Sequence, residues 1–315
     1  MIIPFNIEYK GRYENSHLSF IEPILRIAYN NKVELENALE NILLPFSFLL
    51  GSELKKATPN HDVIKNCLNT LKIAKIGFEV VDSSLLITPI ETRGEQMQLL
   101  KSSYQEKLLF LENFFELKKR IPPIWIELIS IIKTITLVTI PGKENLLNHF
   151  SGSDTDRWGA IHMGKNLEFF NIAECLTHEA SHHWMNLYDF YNEVEFIQNG
   201  WSDHSYISPW RRDKRPLMGI FHGIYVFTNV FIILQYLKAF QNKSYNSRLY
   251  FIAAQVRRGI EILDFNLNKM SATAKDLFFQ IQAVFDNAYE SLPLNERTRY
   301  YNQVLNEEQS KNKVV

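Results

Sequence analysis

The segment from Ile172 to Tyr188, IAECLTHEASHHWMNLY, constrains the fold of this chain more than any other stretch. It contains no Gly or Pro, and its apolar residues recur at helical spacing: Ile172, Ala173, Leu176, Ala180 and Leu187. Within it, His178, Glu179 and His182 form an H-E-x-x-H. Residues four apart lie above one another on one face of a helix. The segment therefore predicts a helix that directs two imidazoles toward one metal ion.

Composition indicates an ordinary soluble globular protein. The chain has 315 residues, 46% of them apolar and 22% charged, and a net charge of −1. That length allows one large domain or two modest ones, and the near-neutral charge argues against nucleic acid and anionic membranes as partners. Two cysteines, Cys67 and Cys175, do not make a disulfide framework. Cys175 lies three residues before His178 and could approach the site, but a small buried core residue is the favoured interpretation.

Two segments bear on localisation. The N-terminus, MIIPFNIEYKGRYE, lacks a basic start followed by an apolar core, so we predict no signal peptide. The segment from Leu217 to Leu237 has His222 as its one ionisable side chain other than tyrosine, and it is long enough to span a bilayer. It also contains Gly219, Thr228, Asn229 and Gln235, which favour a buried central helix. We therefore expect a cytoplasmic protein without a membrane span.

The pattern of elements predicts an α+β, predominantly helical fold. We expect a zincin-like motif helix packed on a second long buried helix at 217–238, with a small β-sheet beside them. Residues 1–120 are predicted to be a helix-rich part that either packs on the rest or holds a substrate. They include helices in 17–58 and 61–76, a hairpin of 78–81 with 85–90, and an amphipathic helix over 95–120 that ends at Pro122-Pro123. Residues 121–315 are predicted to be the metal-binding catalytic part.

Several elements are predicted in the second half of the chain. Residues 131–140 and 158–164 indicate strands, separated by a polar loop at 151–157. His162 on the second strand could face the site, although a lone histidine on a strand is more often structural. A polar and aromatic loop at 199–223 precedes the apolar helix, and amphipathic helices are predicted at 247–268 and 272–291. The last ten residues, NEEQSKNKVV, are predicted to be frayed.

A catalytic metal normally needs a third protein ligand besides two histidines. The downstream candidates are Glu193, Glu195, Asp203, His204 and His222. His222 is favoured because it is isolated in an apolar helix, where a buried imidazole needs a partner. Its other interpretation is a core histidine bonded to a backbone carbonyl. Asp203 comes second, since it would complete a two-histidine, one-carboxylate set.

Three arginines, Arg211, Arg212 and Arg215, lie beside Trp210 in the loop that leads to His222. The planar fork of a guanidinium suits a carboxylate. Such a cluster is often only a solvated loop, but its position directly before the favoured third ligand places it near the predicted metal.

Together these residues resemble a known family. The H-E-x-x-H helix, the S-P-W-R run at Ser208 to Arg211, the R-P-L at Arg215 to Leu217 and the H-G at His222 are similar to those of the HEXXH-motif peptide-modification proteins. Members are described as iron(II)- and 2-oxoglutarate-dependent enzymes that hydroxylate the β-carbon of residues in ribosomally made, post-translationally modified precursor peptides. The resemblance covers roughly residues 172–230 and extends to nothing in residues 1–120.

The resemblance implies a set of site residues. It implies His178, His182 and His222 as iron ligands and Arg211 or Arg215 as the clamp on the 2-oxoglutarate carboxylate. Ser208 and Trp210 would belong to the co-substrate site, and the substrate would be a precursor peptide. Glu179 would then orient a ligand or a water molecule rather than transfer a proton.

Two alternatives remain open from the sequence. A zinc metallopeptidase would use His178, His182 and a third ligand for Zn²⁺, with Glu179 as the general base on the bound water. The motif by itself favours this alternative, because peptidases use H-E-x-x-H more commonly. A non-enzymatic helical peptide-binding protein with a relict or structural metal site is the other. Metal content and 2-oxoglutarate turnover separate the three.

Overall fold

The computed structural model describes residues 79–80, 90–92, 95–99, 151–153, 160–164, 168–191, 196–237, 243–312 and, with gaps, 112–139. Helix dominates these residues and the strands are short, so the described part of the chain is predominantly helical α+β, as predicted. Several predictions fall outside the described residues: the helices before residue 77, the second half of the 78–90 hairpin except Ile90, and the placement of Cys67.

The chain divides into two compact units. The first ends at His183 and the second begins at Trp184 and runs to the C-terminal end. The division thus falls inside the motif helix. The predicted boundary after residue 120 separates a substrate-holding part from a catalytic part, and it stays a prediction.

The described strands of the first unit form one sheet. They are β1 (Glu79–Val80), β2 (Ile90–Thr92), β3 (Glu95–Leu99), β4 (Thr134–Thr139), β5 (Ser151–Ser153) and β6 (Ala160–Gly164). The strand order is β2-β3-β4-β6-β5, and β1 pairs in parallel with the start of β4. Strands β4 and β6 are parallel, whereas β5 runs antiparallel to β6. The predicted strands at 131–140 and 158–164 are therefore confirmed in their central residues.

One prediction in the N-terminal part is wrong, and another falls largely outside the described residues. Of the predicted hairpin of 78–81 with 85–90, the structure describes Glu79–Val80, which pair with β4, and Ile90, which pairs with Met97 of β3. Residues 78, 81 and 85–89 lie outside the described residues, so that hairpin stays a prediction. The predicted helix over 95–120 is a strand in its first five residues, because EQMQL alternates polar and apolar side chains with the period of a strand. Farther along, helical residues at 112–120 precede a break at Ile121, directly before Pro122-Pro123, as expected. Pro122, a favourable residue for a first turn, is helical again, as are the described residues Ile124, Leu128 and Ile131, and strand β4 begins at Thr134.

The motif helix is confirmed. Helix α1 spans Phe169–Tyr191 and contains the whole predicted segment. Its predicted apolar positions Ile172, Ala173, Leu176 and Ala180 are all at most 2% exposed. Cys175 is also buried, as the favoured interpretation predicts.

Helices make up most of the second unit. They are α2 (Leu217–Leu237), α3 (Lys243–Asp264), α4 (Ala272–Tyr289) and α5 (Leu294–Asn312), with a short hairpin of β7 (Tyr206–Ile207) and β8 (Lys214–Arg215) before them. Helix α2 packs against α3 and α4, and α3 packs against α5. Helix α4 begins at an N-cap, Ser271, whose hydroxyl accepts a hydrogen bond from the amide of Ala274.

Helix α2 is the central helix of this unit. By length and composition it could cross a bilayer, but 83% of its most apolar window is buried inside the protein. Buried residues lie on all its sides, and they include the polar Thr228 and Asn229, both 0% exposed. This confirms the predicted buried central helix, while its packing on the motif helix stays a prediction.

Residues 306–312 of the predicted tail are helical and not frayed, whereas 313–315 lie outside the described residues. Helix α5 continues to Asn312 and buries Tyr300, Val304 and Glu308 at successive intervals of four residues. The third of these is a glutamate, so the buried face of the helix does not read as a continuous row of apolar residues in the sequence. The Arg258 guanidinium on α3 pairs with Glu308 (Nε to Oε2, 2.9 Å), so the buried charge is compensated.

We predict that Glu308→Ala lowers the free energy of unfolding by about 2–3 kcal/mol, because it removes the partner of a largely buried guanidinium. The figure is below that for a fully buried pair, since Arg258 keeps a second partner in Glu261 (Nη1 to Oε2, 3.2 Å). Urea unfolding measures the change. The control is the neighbouring exposed Glu307→Ala, for which we expect less than about 0.5 kcal/mol. Equal effects of the two variants would contradict the assignment.

Candidate metal centre

Two histidines of the motif form a close pair. His178 and His182 are half-buried on α1, and their Nε2 atoms lie 3.0 Å apart. Their ring centroids are 4.7 Å apart with the planes at 73°. Two ring nitrogens that face each other at this distance need a proton or a cation between them, because both present lone pairs when unprotonated. The structure thus brings together the two ligands that the helical spacing predicts.

The separation of the two nitrogens is that of an ordinary hydrogen bond between a protonated and an unprotonated ring nitrogen. Among the residues that the structure describes, no group of three or more His, Cys, Asp or Glu side chains could hold a metal ion. The pair is therefore the part of the predicted centre that the structure assembles.

Glu179 is held by the sheet. Its side chain is 2% exposed, and both its oxygens accept hydrogen bonds from β5: Oε1 from Ser151 Oγ at 2.7 Å and Oε2 from Ser153 Oγ at 2.5 Å. Serines two apart on a strand point to the same face, so one short strand supplies both donors. A buried carboxylate needs such donors, and the two hydroxyls fix its orientation.

His162 lies on the opposite face of the sheet from Glu179. It pairs with Gly152, the residue between the two serines, so its side chain shares the face of Gly152. A Cβ built on Gly152 would lie 2.2 Å from His162 Nε2, which shows that the imidazole covers this glycine. His162 is 2% exposed there. The structural interpretation of His162 is confirmed, and its suggested place beside the motif is wrong.

His222 is a buried imidazole on α2. Burial lowers its pKa from 6.5 to about 4. The ring is therefore neutral at pH 7 and keeps a lone pair, as a metal ligand must. The indole of Trp201, itself 53% exposed, lies 6.4 Å from it between ring centroids. His222 belongs to the second unit, and its role as third ligand stays a prediction.

Asp203 is a weaker third-ligand candidate. A hydrogen bond from Ser205, opposed by some desolvation and aided by Lys269, lowers the pKa of its carboxyl. Lys269 Nζ lies 3.5 Å from Asp203 Oδ2, so a protein cation already neutralises this carboxylate. Of the other candidates, His204 is exposed, and Glu193 and Glu195 lie outside the described residues.

The arginines stand in and beside the β7–β8 hairpin. Arg211 and Arg212 are exposed, whereas Arg215 lies on β8 and is partly buried. Arg215 Nε is 2.9 Å from Asp213 Oδ2, an exposed carboxylate. The structure does not choose between Arg211 and Arg215 as the predicted clamp, since one has solvent access and the other a carboxylate already beside it.

Trp210 is a wedge between two helices. Its ring stacks on Phe227 of α2, with centroids 5.2 Å apart and planes at 4°. Cβ atoms built on Gly223 of α2 and on Gly259 of α3 would lie 2.6 Å and 2.7 Å from the indole. The two glycines thus leave a slot that the indole fills. Trp210 therefore has a packing role that sequence analysis did not predict.

The chain around Trp210 is anchored at several points. The Ser208 hydroxyl oxygen accepts hydrogen bonds from the backbone amides of Trp210 (3.3 Å) and Arg211 (3.2 Å). Gln255 of α3 donates to the carbonyl of Pro209 at 2.7 Å, and Lys311 of α5 donates to that of Ser208 at 2.9 Å. These bonds fix the start of the arginine loop. Direct contact of Ser208 or Trp210 with a co-substrate stays a prediction.

Sequence analysis missed the residues that support the motif and the loop. Ser151 and Ser153 were assigned to a polar loop, and Gly259, Gln255 and Lys311 received no role. The Ser-Gly-Ser sequence at 151–153 alternates in side-chain size shortly before strand β6, and this alternation is the signal that could have indicated β5. A glycine inside an otherwise regular helical pattern, as at Gly259, likewise indicates close packing.

The comparisons with known proteins add no assignment. The chain matches no protein-family model and none of the curated proteins with which it was compared. The resemblance to the HEXXH-motif peptide-modification proteins therefore stays an expectation.

The glycine slot gives a prediction with a control on the same helix. Gly223→Ala should lower the free energy of unfolding by about 1–3 kcal/mol, because the new methyl group collides with the Trp210 ring. Gly219→Ala, one turn earlier on α2, would meet nothing closer than 3.5 Å and should raise stability by up to about 1 kcal/mol through helix propensity. Thermal or urea unfolding of both variants tests this. Equal changes would rule out the slot.

Proposed function

We propose that this protein is an iron(II)- and 2-oxoglutarate-dependent oxygenase that hydroxylates the β-carbon of a residue in a ribosomally made precursor peptide, in the cytoplasm. The observation that carries the proposal is the His178–His182 pair beside a glutamate whose two oxygens are already bonded to the sheet. In this proposal the zincin-like motif helix expected from the sequence serves a different chemistry.

The histidines fit iron(II). His178 and His182 would hold it with His222 as the third ligand, and three protein ligands leave open positions for a 2-oxo acid and O₂. Their Nε2 atoms, 3.0 Å apart, are close enough to bind one ion together. His222 supports the set because burial keeps it neutral. The metal supplies the oxidation chemistry, and the protein's part is to bind and orient.

The environment of Glu179 favours the oxygenase over a zinc peptidase. A general base must accept a proton from a metal-bound water. Both oxygens of Glu179 accept hydroxyl hydrogen bonds, which stabilise the ionised carboxylate and so oppose the uptake of a proton. In the oxygenase the same carboxylate has only to stay fixed and ionised beside the metal. The competing peptidase rests on the motif itself and on the burial of Glu179 next to the pair.

The co-substrate and the peptide have separate supports. The distal carboxylate of 2-oxoglutarate needs a cation, and the anchored loop offers Arg211 and Arg215. An extended peptide can add to a sheet edge, and β5 stands last in the order of the described strands. That the peptide is ribosomally made rests on the resemblance alone.

The proposal is tested by anaerobic reconstitution with iron(II) and 2-oxoglutarate. We expect the weak visible charge-transfer band of a chelated 2-oxo acid, together with oxygen-dependent consumption of 2-oxoglutarate. His182→Ala should lose the band, because the ion then keeps only two of its three proposed protein ligands. Absence of the band with iron, combined with peptide cleavage in the presence of zinc, would establish the peptidase instead.

Variants of the loop and of Glu179 separate the two enzymes. Either Arg211→Ala or Arg215→Ala should weaken 2-oxoglutarate binding by about 2–5 kcal/mol while iron stays bound, since it leaves a carboxylate unpaired. Arg212→Ala is the matched control. Glu179→Gln should cost about 10–100-fold in activity, as a change beyond the metal's ligands does. A loss of about 10²–10⁴-fold, typical of a missing general base, would favour the peptidase.

If both arginine variants bind 2-oxoglutarate as the parent does, the clamp assignment is wrong. Binding is measured by titration of the charge-transfer band, which requires no peptide substrate. Bound iron is measured in parallel by elemental analysis.

A further inference from the structure

We propose that Ser151 and Ser153 are positioning residues of the metal centre, acting through Glu179. The inference rests on the proposed function only in taking His178 and His182 as metal ligands. It assigns the Ser-Gly-Ser strand β5 a task in metal binding: to hold a buried carboxylate in one orientation beside the cation.

The geometry leaves the carboxylate little freedom. Its oxygens accept from two hydroxyls at 2.7 and 2.5 Å, and the donors come from one strand rather than from flexible side chains on different elements. Strand β5 is itself fixed by antiparallel pairing with β6 over its whole length, in the register Ser151↔Met163, Gly152↔His162 and Ser153↔Ile161. Met163 and Ile161 are both 0% exposed. The positions of the two hydroxyls are therefore set by the sheet.

Glycine between the two serines is part of the device. Alternation sends the side chain at position 152 to the opposite face, where the His162 imidazole occupies the space of a Cβ. A larger residue there would displace either the imidazole or the strand, and with the strand both hydroxyls. The sequence Ser-Gly-Ser thus joins two donors on one face to close packing on the other.

A fixed carboxylate next to the histidine pair should strengthen cation binding. Glu179 follows His178 directly and precedes His182 by three residues, so its charge stands beside the site. Outer partners of a metal site typically change metal affinity by about 10–100-fold when they are removed. Without the hydroxyls, the buried carboxylate loses the two bonds that orient it.

The test uses Co(II) as a spectroscopic probe on the full chain. Ser151→Ala/Ser153→Ala should weaken Co(II) binding about 10–100-fold and alter the visible cobalt spectrum. Ser151→Thr/Ser153→Thr keeps both hydroxyls and should restore binding. The matched control is Ser181→Ala on the same helix, where a buried hydroxyl donates to the Thr177 carbonyl instead (2.7 Å). That variant should bind Co(II) as the parent does. If the double alanine variant does not fold, the two single variants should show the same weakening in smaller measure.

A double-mutant cycle distinguishes positioning from general support of the fold. In a Glu179→Ala background, or in Glu179→Gln if that variant folds better, the serine changes should alter Co(II) affinity by less than about twofold, because the group through which they act is changed. An undiminished loss in that background would overturn the proposal, as would unchanged or tighter Co(II) binding in the double alanine variant.

The outcomes for the two proposals are separate. A parent protein that binds no Co(II) overturns both. If the parent binds Co(II) and the serine effects depend on Glu179, but no 2-oxoglutarate band forms with iron, the serine assignment stands and the oxygenase proposal is wrong. If the parent forms the band but the effects of the serine and Glu179 changes are additive, the oxygenase proposal stands and the assignment of Ser151 and Ser153 as positioning residues is wrong.

Discussion

A buried carboxylate must find hydrogen-bond donors, and the arrangement of the first unit around Glu179 follows from that requirement. The donors are two hydroxyls that point the same way, so they come from alternate positions of a strand. The residue between the two serines faces the other side of the sheet. It is Gly152, and its lack of a side chain leaves space for the imidazole of His162. The need of buried Glu179 for donors thus links the histidine pair on its helix to strand β5 and to its partner β6. The motif on α1 is attached to the sheet through its central acidic residue.

The second unit holds a loop segment in place by packing instead of by hydrogen bonds to a buried charge. Its arginine loop is held because a large aromatic ring, Trp210, enters a slot made by Gly223 and Gly259 on two packed helices. Stacking on Phe227 completes the enclosure. Interiors are close-packed, so a slot of this kind accepts one side chain in one orientation. Arg211 follows the wedge directly, and its backbone position is set by the same packing even though its side chain is exposed.

Local periodicity made much of this fold predictable. Helices α1 and α2 and strands β4 and β6 have strong apolar patterns, and all four were predicted close to their observed bounds. The misses have physical causes. Residues 95–99 alternate like a strand but adjoin a helical pattern, and α5 hides its apolar stripe behind the buried Glu308. At the site, spacing alone predicted the histidine pair. A local pattern can indicate strand β5 or close packing at a helical glycine. It does not say that the two serines meet Glu179 or that the two glycines meet Trp210, because those contacts join distant segments.

The hydrogen bond from Lys311 to the carbonyl of Ser208 joins residues that are 103 positions apart. A ribosome delivers Ser208 long before Lys311, so the start of the arginine loop must wait for α5 before it has its full set of bonds. Contacts of such long range form late, because the entropy of closing the intervening chain is lost first. Maturation of this surface is therefore tied to completion of the C-terminal helix, and a nascent chain without α5 would present the loop in an unfinished form.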